Sequence, residues 1–262
     1  MRFTKMHGLG NDYVYVDCFH EKVPEDPAAL SVLVSRRRRG IGSDGLILIE
    51  PCENADARMR IFNADGSEAL MCGNGIRCVG KYLYDSGICP KTDMAIMTKS
   101  GVRYLSVEVQ NGVAVGATVD MGEPVFGDAI LCEGFVAHPV SMGNPHAVIF
   151  CKENVDDEPF MRFGPRIEKS PLFPGGVNVE FTAVNGDDDI AVRVWERGSG
   201  PTDACGTGAC AAFAAANRFG YVKSRANVAL PGGALAISLR EDGHILMYGP
   251  AETVFTGEWK DA

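Results

Sequence analysis

The chain has 262 residues, with 25 Lys+Arg against 34 Asp+Glu and a formal net charge of −9. That length suits one large domain or two ordinary ones, and a 46% hydrophobic content is enough to bury a core. The acidic balance argues against a nucleic-acid binder that tracks phosphates and against a polybasic membrane-surface protein, and the single basic run, Arg36 to Arg39, reads as a solvated helix end. No stretch reaches bilayer-spanning length, and Met1 to Gly8 lacks the apolar core of a secretory signal. A cytoplasmic protein is therefore expected, with its nine cysteines mostly free thiols.

In chain order, short β-type runs are predicted at 12–18, 45–50, 57–62, 101–109 and 112–119, with a helix over 27–38. Asn111-Gly112 between the last two runs signals a hairpin. A second series follows at 146–151, 177–184, 189–195, 234–240 and 244–249, with a helix near 156–169 that Pro165 should limit. A final strand near 252–257 is expected to return to the first half. Two further helices stand out. One starts near Gly75 and carries Ile76, Val79 and Leu83 at helical spacing before Gly87. The other starts near Gly208, is apolar nearly all round and ends at Gly220, the pattern of a buried central helix.

Each of these two helices is preceded by a Cys-Gly-x-Gly turn, and Cys72 and Cys205 lie 133 residues apart. The same offset superposes Arg60-Ile61-Phe62-Asn63 on Arg193-Val194-Trp195-Glu196, Gly10-Asn11 on Gly143-Asn144, and Gly45 to Leu48 on Asn178 to Phe181. This internal repeat predicts an α+β protein of two pseudo-symmetric domains, each a β-rich sheet wrapped around a central helix, with the active site in the cleft between them. The boundaries implied are 1–120 plus 251–262, and 121–250, with Gly122-Glu123-Pro124 as the break.

A cysteine at a helix start sits among unpaired backbone N–H groups and the positive end of the helix dipole, which should lower its thiol pKa. The same N–H groups can hold a carboxylate. Two such cysteines related by a pseudo-twofold axis would approach one carbon from opposite faces, as a two-base racemase requires. A buried cysteine is more often an inert small hydrophobe, the reading for Cys18, Cys52, Cys89, Cys132 and Cys151, while Cys78 and Cys210 should line inner helix faces. No metal-ligand spacing is present among the cysteines and histidines, so no metal and no cofactor is expected.

The stretches Met6 to Asp12, Phe62 to Glu68, Cys72 to Cys78, Ser141 to His146, Glu196 to Gly198 and Ala204 to Ala209 together resemble the diaminopimelate epimerase family from end to end. The two cysteine turns alone would also suit a proline racemase. The resemblance implies a cofactor-independent epimerase interconverting LL- and meso-diaminopimelate in lysine and cell-wall precursor synthesis, usually a homodimer of two-domain subunits. It makes Cys72 and Cys205 the acid/base pair and assigns the backbone of Gly73-Asn74 and Gly206-Thr207 to the reacting carboxylate. Asn11, Asn63, Asn144 and Asn178 would bind the polar ends of the substrate. Arg197 would pair the distal carboxylate, and Glu196 would accept from an ammonium and, with His146, tune the thiols. Taken singly, each Asn would read as a turn or cap residue, and Glu196-Arg197 as an exposed pair.

Two positions depart from the family pattern. Gly45 stands where Gln is common, which removes a contact or leaves it to water, and Gly200-Pro201-Thr202 replaces Gly-Glu-Thr. The alternatives are a proline or hydroxyproline epimerase, and a non-catalytic amino-acid binder on the same fold. Glu196-Arg197 with the Asn set separates them, since it suits a substrate with two zwitterionic ends.

Overall fold

In the computed structural model, which describes residues 1–153 and 156–260, the chain divides into two units: Met1–Val119 with the segment from Gly249 on, and Asp120–Tyr248. The first unit contains β1 (Arg2–Gly8), β2 (Asn11–Asp17), α1 (Pro27–Val34), β3 (Gly45–Glu50), β4 (Ala57–Asn63), β5 (Glu68–Ala69), α2 (Gly73–Asp85), β6 (Asp93–Thr98), β7 (Gly101–Gln110) and β8 (Val113–Asp120). Its strands pair in the order β1-β2-β3-β4-β6-β7-β8. The β2–β3 and β4–β6 pairs are parallel and the others antiparallel, with β5 added alongside β4. Asn111 (φ 52°) and Gly112 (φ 79°) close the β7–β8 hairpin with the two positive φ angles its turn requires.

The second unit contains β9 (Val125–Phe126), β10 (Ile130–Cys132), β11 (Phe135–Ser141), β12 (Pro145–Cys151), α3 (Asp157–Glu168), β13 (Asn178–Gly186), β14 (Asp189–Glu196), β15 (Gly200–Thr202), α4 (Gly206–Arg218), β16 (Arg225–Leu230), β17 (Gly233–Leu239) and β18 (Ile245–Pro250). Its order is β11-β12-β13-β14-β16-β17-β18, again with the second and fourth pairs parallel and with β15 alongside β14. The duplicated sequence has thus produced a duplicated strand order. The last strand, β19 (Glu252–Glu258), pairs antiparallel with β1, so the chain ends in the unit where it began.

In each unit one sheet is covered on both faces. Leu46, Ile47, Leu48 and Ile49 of β3 are all fully buried. On one face, Val34 of α1 joins Val14, Val16, Leu46, Leu48 and Phe62 in a common core. On the other lies α2, whose Ile76, Val79 and Leu83 are solvent-free. In the second unit, Phe160 and Ile167 of α3 pack on Ala147, Ile149, Val179 and Phe181. There α4 is the inner helix, buried along Ala209 to Ala216. Alanine holds most of that surface because only a small side chain lets helix and sheet approach this closely.

The structure departs from the sequence reading in several places. Helix α1 stops at Val34 instead of 38. A Cβ on Gly40 would lie 2.4 Å from the Leu33 carbonyl, so the chain folds back there and Arg36 to Arg39 occupy an exposed turn. Pro165 lies inside α3 instead of ending it, and Gly164 before it lacks the Cβ that would clash with the proline ring. A Cβ on Gly164 would also lie 2.7 Å from the Trp195 ring. Strands β1, β6, β11 and β16 were not anticipated. β1 carries Lys5, a buried cation paired with Asp12 and the Gly42 carbonyl, and β6 and β16 are rich in Met and Ala, which favour strands weakly.

Phe213 is the one large side chain in the alanine stretch of α4 and is fully buried. Phe213→Ala should cost about 3–5 kcal/mol. At about 2–4 °C per kcal/mol for a chain of this size, calorimetry should show a fall in Tm of roughly 6–20 °C. An unchanged Tm would contradict the packing described.

Candidate active site

Cys72 is the N-cap of α2, with extended backbone (φ −137°, ψ 118°). Its Sγ accepts the Gly75 N–H at 3.3 Å and donates to Asn11 Oδ1 at 3.4 Å. Asn74 Nδ2 donates to the same Oδ1 at 3.4 Å, and Asn11 Nδ2 donates to Asp44 Oδ2 at 2.8 Å. Asn11 is delivered by the Leu9-Gly10 turn between β1 and β2, in which both residues have positive φ. A left-handed leucine costs about 1–2 kcal/mol, a cost offset by burying its side chain. Behind Asn74 lies Arg77, fully buried, whose guanidinium donates to Asn74 Oδ1 at 2.9 Å, Gly73 O at 3.2 Å and Pro250 O at 3.1 Å.

In the second unit Cys205 takes the equivalent N-cap position of α4 with similar extended backbone (φ −121°, ψ 106°) and is buried. Its Sγ lies 3.6 Å from Thr207 Oγ1, which accepts from Asn144 Nδ2 at 3.3 Å. Asn144 Oδ1 lies 3.0 Å from His146 Nε2, and His146 Nδ1 lies 2.6 Å from Glu180 Oε1. Glu196 accepts the Thr202 hydroxyl at 2.7 Å. Gly73-Asn74 and Gly206-Thr207 open their helices, where first-turn amides have no intrahelical acceptor.

Each half therefore assembles one cysteine with its own asparagine: Cys72 with Asn11 and Asn74, and Cys205 with Asn144, Thr207 and His146. Asn178 has a bracing role. Its Nδ2 donates to Pro145 O at 3.0 Å and its Oδ1 accepts the Arg197 N–H at 2.9 Å, which ties the Glu196–Gly198 turn to the start of β12. The Arg197 guanidinium is exposed and donates to Gly175 O at 3.2 Å. Asn63, at the end of β4, donates to Ser67 Oγ at 3.0 Å.

One expectation is reversed. A helix start should lower a thiol pKa, yet that of Cys205 is pushed well up. Burial is the largest cause, and the carboxylates of Glu196 and Glu180 add to it. The Thr207 hydroxyl and the Gly208 N–H oppose them without prevailing. The Glu196 charge acts in the direction that keeps the proton on.

The two departures have local explanations. A Cβ at Gly45 would meet Phe62 O at 2.1 Å and Tyr13 Cε1 at 3.0 Å, so backbone and an aromatic ring fill the space a longer side chain would need. Pro201 sits in the short edge strand β15, where a missing N–H is tolerated, and Thr202 still reaches Glu196.

Sequence reasoning missed Glu180, Arg77, Asp44 and Glu168. Glu168 Oε1 accepts the Gly198 N–H and its Oε2 the Trp195 indole N–H, each at 2.9 Å, which holds the Arg197 turn. Only Glu180 left a readable signal: it is an acidic residue flanked by Val179 and Phe181, at the position 133 residues after Ile47.

The arrangement is that of an α-carbon racemase or epimerase, and known structures share the fold. A probable proline racemase from Agrobacterium radiobacter superposes with a TM-score of 0.76 at 16% identity, over 99% of this chain and 92% of that one. A hydroxyproline epimerase from Agrobacterium vitis does so with a TM-score of 0.73 at 18% identity, over 98% and 91%. At sequence level the family model for diaminopimelate epimerase matches residues 3–127 and 139–254. The diaminopimelate epimerases of Methanococcus maripaludis and Acetivibrio thermocellus are each 49% identical to it, over 98% of this chain and 99% and 98% of theirs. The chain belongs to the diaminopimelate epimerase family, a family of isomerases.

Two outcomes follow from this geometry. Gly45→Gln should lower stability by about 1–3 kcal/mol through overpacking against Phe62 and Tyr13, visible as a lower Tm; a gain would show that the space is open. Alkylation of Cys205 by iodoacetamide, followed by peptide mass spectrometry, should accelerate only well above the pH at which ordinary thiols react. Glu196→Gln should move that profile to lower pH, because a charge that opposes the thiolate is gone.

Proposed function

We propose that this chain interconverts LL- and meso-diaminopimelate for lysine and peptidoglycan precursor synthesis, with Cys72 and Cys205 as the acid and base of a single epimerisation. The observation that carries the reading is the pair of cysteines, each at the N-cap of a duplicated buried helix, with Asn11 against Cys72 and Asn144 linked to Cys205 through Thr207. One thiolate removes the α-proton and the other group, as a thiol, delivers a proton to the opposite face of the same carbon. The high pKa of the Cys205 thiol favours its entering one direction of the reaction as the acid.

The first-turn amides of both helices, at Gly73-Asn74 and Gly206-Thr207, hold the carboxylate on the reacting carbon and stabilise the charge that develops there. That stabilisation takes the place of an organic electron sink, so the proposal needs neither cofactor nor metal. Asn11, Asn63, Asn144 and Asn178 fix the polar ends of the substrate, the last by shaping the Arg197 turn. The exposed Arg197 guanidinium suits a distal carboxylate, and Glu196 the distal ammonium. The reading includes a homodimer, which rests on the family resemblance, working in the cytoplasm, as the sequence leads one to expect.

Incubation of the purified protein with LL-diaminopimelate in D₂O tests this directly. Meso product should form with deuterium at one α-carbon per turnover, and the DD isomer should be inert. Efficient racemisation of proline instead would assign the site to the other substrate class. Cys72→Ala and Cys205→Ala should each lower kcat by about 10²–10⁴-fold or more, while Cys151→Ala leaves it within a factor of two or so. Near-normal turnover in either of the first two variants would remove the two-base mechanism.

A further inference from the structure

The two units fill equivalent positions under their central helices with different chemistry. In the first, a Cβ on Gly75 would lie 2.7 Å from Ile47 Cδ1; in the second, a Cβ on Gly208 would lie 2.8 Å from Glu180 Oε1. Ile47 and Glu180 are repeat-equivalent, as are Tyr13 and His146. The same backbone site therefore folds with an aliphatic side chain in one unit and a fully buried carboxyl group in the other. Burying a carboxyl group costs stability, and Glu180 Oε2 has no hydrogen-bond partner among the described residues. The fold alone does not call for the group.

Its geometry says what it does. Asn144 Oδ1 can only accept, so His146 Nε2 carries a hydrogen and donates to it at 3.0 Å. The 2.6 Å contact between His146 Nδ1 and Glu180 Oε1 then holds one shared proton. With its carbonyl engaged, Asn144 turns its amide to donate to Thr207 Oγ1 at 3.3 Å. A thiolate at Cys205 can only accept, so when it forms the Thr207 hydroxyl, 3.6 Å away, turns its hydrogen to Sγ. The donors run in one direction, from His146 through Asn144 and Thr207 to the sulfur, and such chains strengthen along their length.

We propose that Glu180 is a positioning residue: by occupying His146 Nδ1 it fixes the imidazole so that every donor in the chain points at Cys205 and supports its thiolate when that forms. The ionisable groups around the chain are Glu180 on β13, His146 on β12, Cys205 at the start of α4 and Glu196 on β14. Both carboxylates raise the thiol through space, so Glu180 acts in two opposed ways, and these are separable.

This inference concerns the same Cys205 and rests on the epimerase reading for its kinetic consequence, but it has a readout that needs no substrate. Glu180→Gln keeps a donor to Nδ1 and hence the chain; Glu180→Ile, the residue the other unit carries, removes it. Alkylation of Cys205 by iodoacetamide, followed by mass spectrometry across pH, should therefore be slower in Glu180→Ile than in the unaltered protein by about 10-fold. Glu180→Gln should be restored to or above the unaltered rate. The kcat for diaminopimelate should fall by about 10- to 100-fold in Glu180→Ile, with KM little changed, and recover in Glu180→Gln. Thermal unfolding identifies variants that fold; if Glu180→Ile does not, the paired change His146→Tyr with Glu180→Ile, which installs the combination of the first unit, takes its place with the same prediction.

Faster alkylation in Glu180→Ile, or equal profiles in all variants, would overturn the positioning role and leave only a charge effect or none. A protein that never turns over diaminopimelate overturns the substrate reading instead, and the alkylation series still decides the role of Glu180.

Discussion

The close seating of each central helix on its sheet, at the turn where the cysteine caps it, is the constraint on which the rest of the structure depends. Gly75 and Gly208 lie where a Cβ would collide with Ile47 and Glu180 respectively. Their bare backbone lets the first turn of α2 and α4 come down onto β3 and β13. That contact buries the helix start and places the sulfur of the capping cysteine beside an asparagine from the neighbouring turn, directly at Cys72 (Asn11) and through Thr207 at Cys205 (Asn144). A larger residue at either glycine would lift the helix end, and with it both the thiol and the first-turn amides.

On that shared frame the two units have diverged in what stands behind the thiol. In the first, a buried guanidinium, Arg77, holds Asn74, and the row facing α2 on β3 is Gly45, Ile47 and Ile49. In the second, the equivalent row on β13 is Asn178, Glu180 and Thr182, all polar and all buried. The result is one cysteine backed by a cation and an apolar strand, and another beside two carboxylates that keep its proton on. A reaction that takes a proton from one face of a carbon and returns one to the other needs its two groups in opposite protonation states. Under the two-base reading proposed above, the surroundings of Cys205 suit it to the protonated partner.

Much of this was legible in the amino-acid sequence. The 133-residue offset, the two Cys-Gly-x-Gly turns and the apolar runs after them already specified two copies of one α+β unit and placed Cys72 and Cys205 at helix starts. These are local signals: glycine placement, helical spacing and strand alternation are properties of neighbouring residues. Less legible were the strands whose side chains disguise them, such as β1 with its buried Lys5, and the helix that tolerates Pro165 because a glycine precedes it.

What the sequence determined by itself was the duplication, the class of chemistry and the two thiols, because each is encoded in a contiguous pattern that short-range physics can read. Only the tertiary structure decided the protonation preference of Cys205, the bracing role of Asn178 and the presence of Glu180 behind His146. Those depend on burial and on charges brought together from β12, β13, β14 and α4. A helix start by itself lowers a thiol pKa, and it took the packed surroundings of Cys205 to reverse the sign, since desolvation and two nearby carboxylates outweigh the field of one helix end.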